Sequence, residues 1–311
     1  MSGQYTVACL AGEGVGAELM AEATRALRAV SGLHGFALDE LHVPFGSESF
    51  SRSGHRLPAE TRLACGRADA ILVGVARDTA LKGLTAELDL RARVARVRTG
   101  STDVVVVSPF GSESERWAVE RAFRLADARR GSVTSVGVDD RWRQLVDEAA
   151  GRHEPTSVEH LSFADALVRL APAATRADVV LAEGPYAEAF EGLVASGANG
   201  SRVIAGGRLS GHGPGLFFPL HGAAFPIAGF GVANPTGMLL AAALLLGEGL
   251  GERAAARTLV RAASDAVGAG VLTSDMMSSG VAATTREFVD VVLDELLRAR
   301  RDVEFFMEAP A

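Results

Sequence analysis

The chain has 311 residues, is 48% hydrophobic and carries a formal net charge of −7, with a pI of about 5.6; that is enough apolar material for a large core, in two domains or one long α/β unit. No basic run offers a footprint for a phosphate backbone, which argues against nucleic acid, and no basic segment followed by an apolar core marks a leader peptide. The longest apolar run, Met238–Leu246, falls short of the roughly 20 residues that cross a bilayer, so no membrane role is expected and the run reads as a buried helix or one face of a subunit contact.

In chain order, Tyr5–Leu10 reads as a strand, Gly12-Glu13-Gly14-Val15-Gly16 as a glycine turn and Leu19–Val30 as a helix. The turn invites comparison with a dinucleotide fingerprint, but the spacing is not GxGxxG, and a tight strand-to-helix turn accounts for the glycines. Helix follows at Pro58–Arg67, and a buried strand at Asp69–Val75. Another strand is expected at Asp103–Val107, whose unbroken β-branched run suits a central position. Glu115–Arg129 is an amphipathic helix, Ser132–Val138 a strand, Arg141–Ala150 a helix and Val158–Leu161 a short strand. Asp165–Leu170 reads as helix, Asp178–Ala182 as strand and Tyr186–Ser196 as helix. Three helices close the chain, near Pro235–Leu250, Glu252–Ala269 and Thr284–Arg300, with a frayed tail. Strands alternating with helices predict an α/β layered fold. Cys9 lies in an apolar run and Cys65 in a helix-like segment; they are the only cysteines, and they fit a reduced, cytoplasmic protein better than a disulfide scaffold.

Two segments break the pattern. Gly197–Gly215 is rich in Gly and Ser and reads either as a flexible connection or as a lid or substrate loop; its Asn199-Gly200-Ser201 matches a glycosylation sequon that a cytoplasmic protein would not use. Phe217–Thr236, FFPLHGAAFPIAGFGVANPT, follows neither a helix nor a strand period, and long irregular segments in periodic chains commonly carry function.

This last segment resembles EPVHGSAPDIAGKGIANPT of the isopropylmalate and isocitrate dehydrogenases, the β-decarboxylating dehydrogenases. Leu10–Leu27 is similar to that family's opening LPGDGIGPEV and the helix after it, and Leu57–Gly74, Ala128–Val136 and Val158–Ala171 also have counterparts there. The resemblance spans nearly the whole chain. It implies a two-domain α/β fold with a large mixed sheet flanked by helices and a central cleft. Domain one would be residues 1–97 plus 199–311, and domain two residues 98–198. It also implies a homodimer formed through domain-two helices near Trp142–Ala150 and Tyr186–Ser196, an NAD cofactor, Mg2+ or Mn2+, and oxidation of a 2-hydroxy acid followed by decarboxylation.

That chemistry needs arginines to clamp carboxylates, aspartates for a hard cation, and a Lys and a Tyr to move protons. The family's LRKELDLYANLRP is matched by Leu84–Arg96, where Thr85 and Ala95 stand at the two arginine positions; Arg91, Arg93 and Arg96 are nearby but out of register, forming either a relocated anion clamp or a solvated surface. Ser108 stands at the third arginine. A long family segment shrinks here to Pro109–Ser114, with Phe110 near the Tyr position, and Val138 replaces the Lys. Removing one positioned acid–base group typically costs about 10² to 10⁴ in rate. For the metal, Ala164 aligns with the first aspartate, Asp165 is next to it, and Glu188 and Glu191 lie one helical turn apart where the family has GDILSD; these three are the candidate ligands, with a solvated acidic face as the competing reading. In the cofactor segment His221, Gly222, Gly229, Gly231, Asn234 and Pro235 stand as in the family, and Asp275 matches an acid near adenine. Phe218, Pro226 and Phe230 replace a Glu, an Asp and a Lys that recognise polar parts of NAD. His212 is a further catalytic candidate.

The expected function is therefore an isopropylmalate-dehydrogenase-like protein without the family's Lys, Tyr and Arg set. It acts either as a non-catalytic partner of another protein or with a more apolar site repurposed for a small acid; Phe218, Phe225, Phe230 and Val138 supply the apolar character. The alternative is a working NAD-dependent, decarboxylating 2-hydroxy acid dehydrogenase with relocated residues, using Arg91 and Arg96 as clamp and Asp165 and Glu188 as metal ligands.

Overall fold

The computed structural model describes residues 3–75, 78–99, 102–137, 139–173, 177–187, 189–190, 192, 204–277 and 279–308. They form two compact units, one containing the chain up to Leu88 and again from Gly213, the other spanning Asp89–His212. Both are α/β, each with a sheet flanked by helices, and the sheet of the second unit is mixed.

The first unit opens with β1 (Gln4–Gly12), α1 (Gly16–His34), β2 (Ala37–His42), α2 (Gly46–Ser53), α3 (Ala59–Arg67), β3 (Ala70–Val75) and α4 (Asp78–Thr85). β3 is buried at all six positions, as an interior parallel strand must be when both its faces are covered. β2 pairs with β1 in parallel at the edge and is half-exposed along its length. Its sequence, ALDELH, has no apolar run, which explains why periodicity does not reveal it.

In the second unit come β4 (Leu90–Thr99), β5 (Thr102–Pro109), α5 (Glu115–Asp127), β6 (Ser132–Val136), α6 (Asp140–Ala150), β7 (Ser157–Leu161), α7 (Phe163–Ala173), β8 (Val179–Ala182) and β9 (Ile204–Ser210). β9, β4 and β5 are antiparallel neighbours; β5, β8, β6 and β7 follow in parallel. The ladder of β4 with both neighbours runs along nearly its whole length. For that reason the compact units divide at 88/89 and 212/213, where the resemblance places the boundaries at 97/98 and 198/199. β4 escapes sequence reading because its faces swap polarity midway. Arg91 and Arg93 share a face with Ala95 and Val97, while Ala92 and Val94 share one with Arg96 and Arg98. β9 overturns the expectation that Gly197–Gly215 is irregular throughout, since residues 204–210 are a laddered strand despite Gly206 and Gly207. Glycine is depleted in strands, so composition misleads there. Residues 193–203, including the sequon, lie outside the described residues.

The chain then returns to the first unit with β10 (Gly215–Pro219), which pairs with β3 in parallel, and with α8 (Thr236–Leu244), α9 (Arg253–Gly268) and α10 (Thr285–Glu308). All nine residues of α8 are buried, and a π-turn at Leu245–Gly249 extends it, so Met238–Leu246 is the interior helix of this unit. α8 packs on α1, α9, β3 and β10. The final helix runs past Arg300 to Glu308, further than the frayed tail expected. No helix among the described residues is long and apolar enough to cross a membrane. Cys9 and Cys65 are free and buried, and burial pushes both thiols up to about 12.

An ion network anchors the second unit's sheet. Arg96 Nε and Nη2 donate to the two carboxylate oxygens of Asp103 at 3.0 and 2.9 Å, and Arg98 Nη1 donates to Asp103 Oδ2 at 3.0 Å. Arg129 Nε donates to fully buried Asp178 at 2.7 Å, and the Arg130 amide donates to its other oxygen at 2.8 Å. Burial alone would raise the pKa of Asp103. Arg96, then Arg129 and Arg98, override burial and hold the carboxyl well below the ordinary range. Near α5, His153 stacks on Phe123 with ring centroids 5.4 Å apart, its Nδ1 is 2.6 Å from Asp127 and its Nε2 is 3.1 Å from Glu120. Burial opposes protonation, but the two carboxylates outweigh it and raise the His153 pKa above its ordinary 6.5.

The sign of each linkage follows from its shift. The His153 contribution is complete below pH 6.5 and disappears as pH rises through the raised folded value. The Asp103 contribution is complete above the ordinary carboxylate pKa and is lost only in strong acid. Urea unfolding followed across pH should show stability falling on the alkaline side of 6.5, with that slope abolished in His153→Gln. An unchanged slope in the variant would remove His153 as its source.

Candidate functional site

In the first unit, the turn after β1 is dictated by sterics. Gly12 has φ +81°, and a Cβ there would lie 1.7 Å from the Val75 carbonyl oxygen; Gly14 has φ +55°, and its Cβ would lie 1.8 Å from that of Ala223. Only glycine combines this backbone with this approach. Between them, Glu13 is 3% exposed. Its amide donates to Val75 O at 2.8 Å, and its Oε1 accepts from Arg56 Nη1 at 2.7 Å and Ser47 Oγ at 2.9 Å. The Val15 amide donates to Ala223 O at 3.0 Å. The turn thus uses an amide at the start of α1 to hold the segment after β10, a structural use that the tight-turn reading anticipates better than a phosphate fingerprint does.

That segment is irregular only after Pro219, since Phe217–Pro219 belongs to β10. Glu18, in the first turn of α1, gathers its far end: Oε2 accepts from the amides of Gly229 and Gly231 at 3.1 and 3.2 Å. Asn234 Nδ2 donates to Asp275 Oδ2 at 3.0 Å, while Asn234 Oδ1 accepts from the Thr236 amide and hydroxyl at 3.0 and 2.6 Å. Thr273 Oγ1 donates to Asp275 Oδ1 at 2.6 Å. Asn234 and Asp275, named separately from sequence, are therefore bonded to each other. His221 Nδ1 lies 3.0 Å from the Gly222 carbonyl. Phe225, Ile227 and Phe230 project into solvent, with Phe230 73% exposed, and Pro226 is exposed among them. Glu13, Glu18 and Arg56 were not picked out by sequence reading. Their only signal is an acid inside a glycine turn, an acid one turn later, and a distant arginine without a motif.

Three polar partners are missing from the residues expected to hold NAD, because Phe218, Pro226 and Phe230 offer no side-chain donor or acceptor for a ribose or amide. Asn234 and Asp275 retain the chemistry to meet an adenosine but are engaged with each other and with Thr236 and Thr273. This donor set does not fit a dinucleotide well.

In the second unit, Ala95 is fully buried in the apolar cluster with Val97, Val104, Val106 and Val136. Ser108 is 1% exposed, and its Oγ has no hydrogen-bond partner among the described residues. In the first unit, Thr85 on α4 donates its hydroxyl to Lys82 O at 3.0 Å, an ordinary helical back-bond. Phe110 follows β5, and its amide donates to Arg91 O at 2.9 Å. Val138, Glu188 and Glu191 lie outside the described residues.

The relocated candidates separate. Arg96 lies on the strand face opposite Arg93 and is the bidentate partner of Asp103. Arg91 Nη2 is 2.7 Å from Asp89 Oδ1, and exposed His212 reaches Asp89 Oδ2 at 3.2 Å; His212 and Arg91 hold the Asp89 carboxyl below its ordinary pKa. Asp165 belongs to the N-terminal cap of α7, where Ser162 Oγ accepts the Asp165 amide at 3.1 Å and donates to the Asp165 carboxylate at 2.6 Å. Among the described residues no three His, Cys, Asp or Glu converge as a metal set would require.

Two arginines do converge. The β4 ladder sets Arg93 opposite Ser108 on one side and opposite Arg208 of β9 on the other. The Phe110 ring centroid lies 5.0 Å from the Arg93 guanidinium carbon and 5.7 Å from that of Arg208. Arg208 was not singled out from sequence, because a lone arginine in a Gly-rich stretch carries no local signal; only the ladder reveals it.

A family model described as isocitrate/isopropylmalate dehydrogenase matches residues 6–98 and 93–292. A 3-isopropylmalate dehydrogenase of Synechococcus sp. (strain CC9605) is 30% identical over 338 residues, covering 89% of this chain and 95% of the relative. One from Salinibacter ruber is 31% identical over 329 residues, covering 88% and 90%. Among solved structures, a β-decarboxylating dehydrogenase from Thermococcus kodakarensis in its apo form superposes with a TM-score of 0.84 at 26% identity, covering 96% of this chain and 98% of that one. Isocitrate dehydrogenase from Methylococcus capsulatus, at 20% identity and a TM-score of 0.78 over 94% of this chain and 99% of that one, shows the shared fold.

Proposed function

The chain belongs to the isocitrate/isopropylmalate dehydrogenase family, and from that premise we propose that it does not carry out an oxidative decarboxylation of a 2-hydroxy acid but binds a small organic acid. The observation that carries this reading is the pair Ala95 and Ser108. Both stand on central strands where the resemblance expects carboxylate-clamping arginines, and both are buried and uncharged. Thr85, Phe110 and Val138 extend the set of departures, and Phe110 has no hydroxyl to carry a proton. Losing several positioned groups from one site removes them as a unit, so the parent rate falls by at least the roughly 10² to 10⁴ attached to a single acid–base group. Arg93 and Arg208 keep positive charge beside the vacated positions, which supports retained affinity for an acid.

A second reading, a non-catalytic partner of another protein, draws on Phe225, Ile227 and Phe230, large apolar side chains exposed together on one segment. Residence in the cytoplasm, argued from the two cysteines, and a homodimeric state, which rests on the resemblance, belong to the same proposal.

The test pairs turnover with ligand stabilisation of the full chain. With NAD, Mn2+ and a panel of malate-type 2-hydroxy acids, NADH formation should not exceed the protein-free rate. Succinate or malonate should raise the melting temperature saturably, the added stability reaching about 2.7 kcal/mol at a hundredfold excess over Kd. Saturable stabilisation by NAD with metal-dependent turnover would establish the working dehydrogenase instead.

A further inference from the structure

We propose that Arg93, Arg208, Ser108 and Phe110 form a carboxylate-binding site on the β9–β4–β5 ladder of the second unit. This rests on the small-acid reading and gives that reading its residues.

Residues directly opposite in an antiparallel ladder point to the same face, with Cα atoms roughly 4.5–5.5 Å apart. Arg208, Arg93 and Ser108 occupy one such rung across three strands. Like charges directly opposite cost stability, so chance placement of two arginines on one rung is disfavoured, whereas an oxyanion between two guanidiniums turns that cost into two charge-assisted contacts. The guanidiniums are not loose. Both lie against the Phe110 ring at 5.0 and 5.7 Å, and each has a further interaction within the chain. Packing on the ring limits their motion before any ligand arrives, and preorganisation lowers the cost of binding.

Ser108 supplies the independent observation. Its hydroxyl is 99% shielded, sits on the arginine rung and has no hydrogen-bond partner among the described residues. A buried hydroxyl left without a partner costs about 1–3 kcal/mol, so its retention calls for an acceptor, and a carboxylate oxygen at this rung is one. The next rung inward on the same face is Ala95 opposite Gly206 and Val106, so the side chains flanking the arginines there are short or apolar. A ligand with a carboxylate toward the arginines and a short apolar body toward the Phe110 ring matches these side chains. The class is a small aliphatic mono- or dicarboxylate, recognised by planar fork geometry.

Titration calorimetry of the full chain with succinate, malonate, propionate and inorganic phosphate tests the site. Wild type should bind at least one carboxylate saturably and more tightly than phosphate. Arg93→Gln and Arg208→Gln should each weaken binding roughly tenfold or more, as expected for loss of a hydrogen bond to a charged group. Arg208→Lys should weaken it too, because the charge remains but the fork is gone. Ser108→Ala carries the sharpest contrast, since it should weaken binding several-fold while leaving the melting temperature unchanged or higher. That variant and Arg208→Lys keep the test decisive should a Gln variant fold poorly. If wild type binds a carboxylate and these variants bind it equally well, this site is wrong while the small-acid reading stands. Phosphate binding as tightly as any carboxylate overturns the assigned ligand class. If wild type binds none of the carboxylates at millimolar concentration, the site and the reading beneath it both fall.

Discussion

Asp178→Ala should cost about 3–5 kcal/mol of unfolding free energy, the range for removing one member of a buried pair. Asp178 is fully buried at the entry to β8, where its two oxygens accept from the Arg129 guanidinium and the Arg130 amide. Without it, Arg129, itself only 15% exposed, keeps Asp103 at 3.4 Å as its remaining carboxylate, and the Arg130 amide loses its acceptor at the start of β6. For a domain of this size, where each kcal/mol moves the midpoint by roughly 2 °C, the melting temperature should drop by about 6–10 °C. Asp178→Asn keeps the shape and one acceptor oxygen and should cost less. Calorimetry of both variants settles the matter; a loss below about 1 kcal/mol in the Ala variant would show that the network relaxes around the gap and does not anchor the sheet.

The second large effect is expected at Gly14. Its φ of +55° disfavours any side chain, and a Cβ would overlap the Ala223 carbonyl at 1.8 Å. Gly14→Ala must therefore bear backbone strain of about 1–3 kcal/mol and also displace the carbonyl that receives the Val15 amide. The destabilisation should reach about 3 kcal/mol in total, with the structural damage localised. Amide exchange should accelerate across residues 221–231 and at the start of α1, while β6 and β7 keep their protection. Gly32→Ala, in α1 with open space around its Cα, is the control and should be neutral or slightly stabilising. Uniform loss of protection throughout the chain would mean that the turn supports global folding and not this local junction.

The parts of the fold that sequence exposes are those where burial writes a period. β3 and β8 are unbroken apolar runs, β1 and β5 each contain one, α5 and α6 carry one apolar face, and α8 is buried all round. What stays hidden is written by neighbours. β2 is an edge strand with one side in solvent, so it needs no apolar run. β4 changes which face is charged halfway along, defeating a search for alternation. β9 tolerates Gly206 and Gly207 because Val94 and Ala95 of β4 back them in the ladder. The site follows the same division. The segment from Phe217 to Thr236 is legible as a motif because its glycines and prolines are local requirements. The Glu18 clamp on two of its amides, by contrast, joins residues more than two hundred positions apart. Arg91, Arg93 and Arg96 are equivalent in the sequence, and only the ladder separates an arginine tied to Asp89, one facing Arg208 and one locked to Asp103.

The return of the chain to its first unit orders the events of synthesis. Residues 89–212 are contiguous, so the second unit has all its strands as soon as they have emerged from the ribosome. β3 cannot acquire its β10 neighbour, nor α1 its packing against α8, until residues beyond 215 have been made. The first portion to be translated is thus the last to be completed, and during that interval the β10 edge of β3 and the face of α1 that α8 covers have no native partner. Long-range closure of this kind is slow and leaves hydrophobic surface exposed. Nascent chains stalled before β10 should therefore be the form of this protein most dependent on chaperones.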